Sequence, residues 1–259
     1  MLMFVIFGAV LLLMLLGVST AVTMGFASIA TFLFAGGDPA RLFLVPQRMF
    51  AQVSGITLMS IPFFLLMGNL MTVGGVSKSL FGFGRVCLGH RWGGLSNAAI
   101  VACVVMAAMS GSAAACAAGI GMIAINEMTK SGYGRPFSCA TIAAGGALGP
   151  IIPPSIIMVV YATITGASVG DMFKSGMGIG VGIMIVLMIV VIVLAHKEQW
   201  PKDEVHFNLK EFCISFLKAI PALMLPIIIL GGIYSGLLTA TESSAIAVVW
   251  SFIAGMFIY

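Results

Sequence analysis

MSGSAAACAAGIG, residues 109–121, is the stretch whose reading decides the fold. It lies in the middle of a run from Ser96 to Thr129 that is apolar or small, with Asn97, Asn126 and Glu127 confined to its ends. Basic residues flank the run on both sides, Arg85, His90 and Arg91 before it and Lys130 and Arg135 after it. Lys- and Arg-rich flanks belong on one face of a membrane, so the two ends of the run should lie together. A single helix of about 34 residues would be about 51 Å long, against a bilayer core of about 30 Å. The run therefore predicts a re-entrant helical hairpin over 96–130. Its turn falls at Ser110, Gly111 and Ser112, the one cluster near the middle that competes with helical hydrogen bonding. Two half-helices then meet at a tip about halfway across the lipid, a depth at which irregular backbone persists only beside a polar cavity or against protein.

The next segment is interrupted too. Phe137 to Leu148 is small and apolar, GPIIPPS (149–155) stops any helix, and Ile156 to Ile164 resumes one, which predicts a broken transmembrane helix over 135–167. Pro150, Pro153 and Pro154 donate no hydrogen bond, so carbonyls near them lose helical partners and suit a hard cation such as sodium. The hairpin tip supplies carbonyls from the end of one arm and N–H groups from the start of the other, with serine hydroxyls able to play either part. The candidate sodium ligands are Ser110, Gly111, Ser112, Gly149, Pro150 and Ile152, largely through backbone carbonyls. Pro153 suits the first turn of the resuming helix and puts Ser155 near its N-terminal end. The candidate contacts for an anionic carboxylate are Ser112, Pro153, Pro154 and Ser155. A lone Ser-Gly-Ser or a proline kink is more often a packing device. Both in succession, after same-side basic flanks, match the way secondary transporters build a midplane site.

The remaining sequence places these two elements in a polytopic all-α membrane protein. The chain has 259 residues, 61% of them hydrophobic and 8% charged, with a mean hydropathy of +1.18. Residues 1–74 read as scaffold helices: apolar runs Leu2 to Leu16 and Val18 to Phe34 paired as a hairpin, a polar loop over 36–50, and a span from Ile56 to Val73. Residues 75–95 interleave Leu80, Phe81 and Phe83 with Lys78, Arg85 and Arg91, the pattern of an amphipathic arm helix in the interface. Asp171 and Lys174 mark a short polar turn before a transmembrane helix over 176–196. A second interfacial arm follows over 206–218, with Phe207, Phe212 and Phe216 on one side. A span over 219–237, despite Pro221 and Pro226, leads to a helix over 239–259 opened by a Thr239–Glu242 capping box.

Charge fixes the expected orientation. Lys78, Arg85, Arg91, Lys130, Arg135, Lys197, Lys202, Lys210 and Lys218 fall on the hairpin-base side, which leaves Arg41, Arg48 and Lys174 opposite. The richer side is cytoplasmic by the positive-inside rule, and the N-terminus lies outside. A net charge of +4 spread over so long an apolar chain reports topology and gives no reason to expect nucleic acid. The five cysteines lack metal-ligand spacing and read as small hydrophobes. Gly111-Ser112 in an apolar setting invites comparison with an intramembrane serine protease. A serine nucleophile needs a base, however, and His90, His196 and His206 all fall in interfacial segments, so no enzymatic role is expected. Glu127 reads as an ion-paired helix end beside Lys130, and Asn69 as a helix–helix contact.

SGSAAACAAGIG (110–121), GPIIPPSI (149–156) and GGIYSGLLTATESSAIAVV (231–249), in this order and spacing, resemble the large membrane subunit of tripartite ATP-independent periplasmic (TRAP) transporters. The resemblance implies an elevator-type permease of the bacterial inner membrane, a sodium-driven symporter for small organic acids. It implies as partners a soluble periplasmic solute-binding protein and a small four-helix membrane subunit, sodium as coupling ion and no other cofactor. On that basis Ser110, Gly111 and Ser112 correspond to the hairpin tip and Gly149 to Ser155 to the helix break, with the two arms joining a moving domain to a scaffold. Two departures stand out. Cys116 occupies a place where many relatives are expected to carry Asp, and only the opening helix of a second, inverted half is present, so truncation or a split protein is expected. A divalent-anion/sodium symporter working without a binding protein and a non-transporting membrane scaffold are the alternatives.

Overall fold

The structure is a computed structural model that describes residues 2–198, 200 and 208–259, with side chains from residue 6 onward. Lys202, His206 and Phe207, named above, lie outside the described residues. Among the described residues the secondary structure is helical throughout, and the chain divides into two compact units, Met1–Ser54 and Gly55–Tyr259.

The first unit pairs α1 (Leu2–Leu15) with α2 (Thr20–Phe34) across a short connection that turns at Gly17, φ +79°. The stretch expected as a loop over 36–50 is instead mostly helical: a 3-10 turn at Pro39–Phe43 runs into α3 (Leu44–Val53). The reason is local. Asp38 accepts the Ala40 N–H at 2.9 Å and Pro39 sits in the first turn, so the proline opens a helical stretch here.

The second unit is built around α6 (Gly94–Ser110). All but three of its residues are buried, and α5 (Val76–Leu88), α7 (Ala113–Lys130), α8 (Arg135–Gly146), α10 (Val169–Lys197), α4 (Ser60–Val73) and α11 (Leu209–Tyr234) all touch it. Its alanines permit this, because small side chains let helix backbones approach closely where water provides no driving force. Gly84 of α5 meets Ala98, and Gly145 of α8 meets Cys103, each where an added Cβ would stand 3.0 Å from the neighbour.

Contacts fix the direction of the hairpin. Ser96 and Thr141 share a hydrogen bond at 3.1 Å, and Gly145 faces Ile100, so α8 runs parallel to α6. Gly121 faces Ile142, and Gly146 faces Ala117, so α8 runs antiparallel to α7. The arms α6 and α7 are therefore antiparallel, with α8 laid against both.

The hairpin base is a polar and aromatic end. Arg85 and Lys130 both reach Glu127 at 3.3 Å, Trp92 meets His196 edge-on at 5.8 Å, and Phe137 and Tyr133 pack on Trp200. The other end of α10 carries the Lys174–Asp171 pair at 3.8 Å, with Lys174 over the Tyr234 ring. Asp171 and Lys174 do not form a separate turn: Ser168 accepts the Asp171 N–H at 3.3 Å and starts α10 seven residues before the expected boundary.

Two further differences come from packing. The second arm and the span after it are one helix, α11, running through Pro221 and Pro226. Proline removes a hydrogen bond at each position, but neighbours support this stretch: Trp250 Nε1–H donates to the Pro221 carbonyl at 2.9 Å and Tyr259 O–H to that of Lys218 at 2.6 Å. The Phe83 ring of α5 packs at a tilt against Phe212 and Phe216, with centroids 5.8 and 5.7 Å away, tying the arm helix to α11. The capping box forms at the start of α12 (Ala240–Ile253), where Glu242 accepts the Thr239 N–H at 2.8 Å. Among the described residues four helices are long and apolar enough to cross a membrane: Ile56–Val73, Val169–Lys197, Leu209–Tyr234 and Ala240–Ile258.

Candidate functional site

Two interruptions of helical backbone touch each other. α6 ends where Gly111 takes a left-handed conformation, φ +59°, which reverses the chain without a Cβ penalty. Ser112 is extended and caps α7, its hydroxyl accepting the Ala115 N–H at 3.4 Å. The second interruption begins where α8 ends at Gly146 and closes at Ser155, which caps α9 (Ile156–Thr165). The Ser155 hydroxyl accepts the Met158 N–H at 3.4 Å and donates to the Pro150 carbonyl at 2.6 Å, so it staples the break to the helix that follows. The Pro153–Pro154 peptide bond is cis.

Glycines make the meeting possible. A Cβ on Gly111 would stand 2.8 Å from the Pro154 carbonyl oxygen and 3.4 Å from Ser155 Cα. A Cβ on Gly149 would stand 2.8 Å from the Ala113 nitrogen and 2.9 Å from the Ser112 carbonyl carbon. The two breaks therefore lie backbone against backbone. The N-terminal ends of α7 and α9 and the C-terminal ends of α6 and α8 converge on one spot. The first N–H groups of each starting helix have no partner inside that helix, and the last carbonyls of each ending helix likewise. Opposed partial charges thus sit within a few ångströms, one set suited to an anion and the other to a cation.

Each candidate residue has a definite place. Ser110 is 3% exposed and donates to the Met106 carbonyl at 3.1 Å, and its oxygen accepts the Ser112 N–H at 3.4 Å. Ser112 and Pro150 are half-buried, whereas Gly111, Gly149, Pro153, Pro154 and Ser155 are buried. The Ile152 side chain turns away into the core against Gly180 of α10, so only its backbone belongs with the group. The hydrogen-bond partners of Ser110 and Ser112 come from the hairpin itself, and Ser112 is the serine of the tip left partly open.

The 17 residues of α6 and 18 of α7 make arms of about 26 and 27 Å, close to a full bilayer core. Gly176 and Gly180 of α10 face Ile151 and Ile152 of the break, while Val191 and Ala195 face Gly93 at the hairpin base. At 1.5 Å per residue, the break is level with a point about 13 Å from the Val169 end of α10 and about 28 Å from the Lys197 end.

Residues 7–259 match the family described as tripartite ATP-independent periplasmic transporter, DctM component. The chain belongs to that family. It is 41% identical over 92% of its length to the C4-dicarboxylate TRAP transporter large permease protein DctM of Pseudomonas aeruginosa, and 40% identical over 95% to the protein of that name from Vibrio cholerae. It is 38% identical over 98% of its length to the isethionate TRAP transporter permease protein DctMQ of Oleidesulfovibrio alaskensis. The chain spans 55%, 54% and 40% of those relatives respectively. It is thus a multi-pass membrane protein of a permease family, and the relatives are named as permeases rather than enzymes.

Sequence reasoning missed two supports of the site. Gly68 of α4 lies against the hairpin tip, where an added Cβ would be 3.0 Å from Ser110 Cα. Gly176 of α10 lies under the break, with its added Cβ 2.7 Å from the Ile151 carbonyl oxygen. Gly68 is the only glycine within α4, a signal available in IPFFLLMGNLM (61–71), but nothing in that pattern names its partner. Asn69 beside it is exposed, and Glu242 is taken up by the capping box.

Proposed function

We propose that the chain forms the site-bearing part of the large permease subunit of a sodium-coupled importer of small organic acids. The observation that carries the reading is the backbone contact between the two breaks, Gly111 on Pro154 and Ser155, and Gly149 on Ser112 and Ala113. Helix C-termini and freed carbonyls there suit sodium, and helix N-termini with Ser112 and Ser155 suit a carboxylate. The sodium ligands are Ser110, Gly111, Ser112, Gly149, Pro150 and the Ile152 backbone. The substrate contacts are Ser112, Pro153, Pro154 and Ser155. Relatives named for C4-dicarboxylates and isethionate carry acids of this small anionic class. A periplasmic solute-binding protein delivers the acid, a small membrane subunit completes the permease, and the complex resides in the bacterial inner membrane.

Motion follows an elevator scheme. The hairpin, the broken helix and their packed neighbours move as one body, with α5 and the start of α11 as arms joined through Phe83, Phe212 and Phe216. The test is uptake of a labelled dicarboxylate into proteoliposomes containing the permease that includes this chain, its small subunit and its binding protein. The expected result is uptake that requires an inward sodium gradient and is lost on combining Ser110→Ala with Ser112→Ala. Uptake indifferent to sodium or to that double substitution refutes the site, and uptake of free acid without the binding protein refutes the assigned partner.

A further inference from the structure

A trough runs along α7 and ends at the first residue of α8, on a face that the candidate ion site does not use. It has a volume of about 440 Å³ and is lined by Ala117, Ala118, Gly121, Met122 and Ile125, with Asn126 and Arg135 at one end. From Ala117 to Asn126 it follows α7 for about 13 Å, close to the roughly 15 Å of hydrocarbon in one bilayer leaflet. The outward face of α10 carries large side chains, among them Ile179, Ile183 and Val186. The trough is cut back to alanine and glycine instead, which leaves room for an occupant.

We propose that this trough seats an anionic phospholipid from the leaflet at the hairpin base, its phosphate on Arg135 and one acyl chain along Ala118, Met122 and Ile125. Charge selects the headgroup. Arg135 is exposed and has no ion pair or side-chain hydrogen bond among the described residues. A guanidinium meets phosphate through two parallel N–H bonds. No carboxylate lines the trough, and the neighbouring Glu127 is held by Arg85 and Lys130, so nothing there receives the ammonium of a zwitterionic headgroup. Depth agrees with this placement. Trp92, Tyr133 and Trp200 gather at the hairpin base, and Trp and Tyr mark the level of the headgroups. A phosphate at Arg135 therefore sits at the interface, and its acyl chain points toward the hairpin tip.

The division of the lining argues against a transported acid as the occupant. A dicarboxylate carries charge at both ends and would set one of them against Met122, Ile125 and the small residues, where nothing neutralises it. A phospholipid has one charged end and one apolar end, in the order the trough presents them. Basic pockets between helices on the cytoplasmic side recognise lipid headgroups in this way. The seat needs neither sodium nor substrate, so it stands or falls separately from the proposed transport site.

The test uses the complete permease that includes this chain, purified in an uncharged detergent and given phosphatidylglycerol with a photoactivatable group midway along one acyl chain. After irradiation, adducts are located by peptide mass spectrometry. The expected result is labelling within residues 117–126 that unlabelled phosphatidylglycerol suppresses and phosphatidylcholine does not. Arg135→Gln should weaken binding by about 10-fold, the loss of one charge-assisted contact. Lys174→Gln, at the opposite end of the unit, should leave it unchanged. Ala118→Phe keeps the cation but fills the trough at an exposed position, and should also reduce labelling; binding unaltered by it would mean that a phosphate group alone is held. That result overturns the proposal, as do labelling outside 117–126, equal competition by phosphatidylcholine, or equal binding by Arg135→Gln. Absence of labelling in the complete permease overturns it as well, since another segment of the permease then fills the trough. If Arg135→Gln fails to fold, Ala118→Phe and the competition between the two lipids decide.

Discussion

Replacing Gly111 by alanine tests whether the two breaks are held together by backbone contact. The residue has φ +59°, and its new Cβ would meet the Pro154 carbonyl oxygen at 2.8 Å. Left-handed backbone alone costs an L-residue about 1–2 kcal/mol. The control is Gly166, which ends α9 in the same conformation, φ +73°, with nothing within 4 Å of an added Cβ. Gly166→Ala should therefore show the conformational cost by itself. At Gly111 the oxygen belongs to a buried proline in a packed segment and cannot move aside as a flexible side chain would. Forcing a methyl into a packed interior adds about 1–3 kcal/mol. With about 2–4 °C of melting temperature per kcal/mol for a chain of this size, Gly166→Ala should lower the transition by about 2–8 °C and Gly111→Ala by about 4–20 °C. The assay is thermal unfolding of the purified protein in one detergent, both variants side by side. A Gly111 variant no less stable than the Gly166 variant would refute the contact and, with it, the convergence of helix ends on which the site is built.

Other substitutions examine separate supports. Gly68→Val should push α4 off the hairpin tip at Ser110 and lower stability by about 1–3 kcal/mol, readable in the same melt; an unchanged melting temperature would remove α4 from the site. Ser155→Ala removes both the α9 cap and the 2.6 Å bond to Pro150, for a loss of about 1–2 kcal/mol. Restoration by Thr but not by Val would mark the hydroxyl as the cause. The Arg85–Glu127 pair is about one-third exposed on both sides, so a double-mutant cycle of Arg85→Ala with Glu127→Gln should return a coupling of about 0–1 kcal/mol that shrinks with added salt. A coupling above that range would show the pair to be shielded from solvent.

Much of the site was visible in the sequence because it is made of residues that break helices. Ser110-Gly111-Ser112 and the proline run 149–155 interrupt apolar segments, and no packing can make Pro150, Pro153 and Pro154 continue one regular helix. The same logic misled where packing overrode it. Pro221 and Pro226 sit inside one helix, α11, which packs against α12 and receives hydrogen bonds from Trp250 and Tyr259 at the Pro221 and Lys218 carbonyls. Pro39 begins a helical stretch because Asp38 caps it. Sequence shows where a helix stops, but what the break packs against depends on the neighbour beside it, here Gly176 and Gly180 of α10.

By itself, then, the sequence determined that the chain is helical and membrane-bound and that it turns at the two serines and breaks at the prolines, since those follow from hydropathy and from backbone chemistry local to each segment. Only the tertiary structure decided that the two interruptions meet. Contact between Gly111 and Ser155, 44 residues apart in the chain, is a matter of which helices pack side by side, and a glycine does not announce the backbone it will touch.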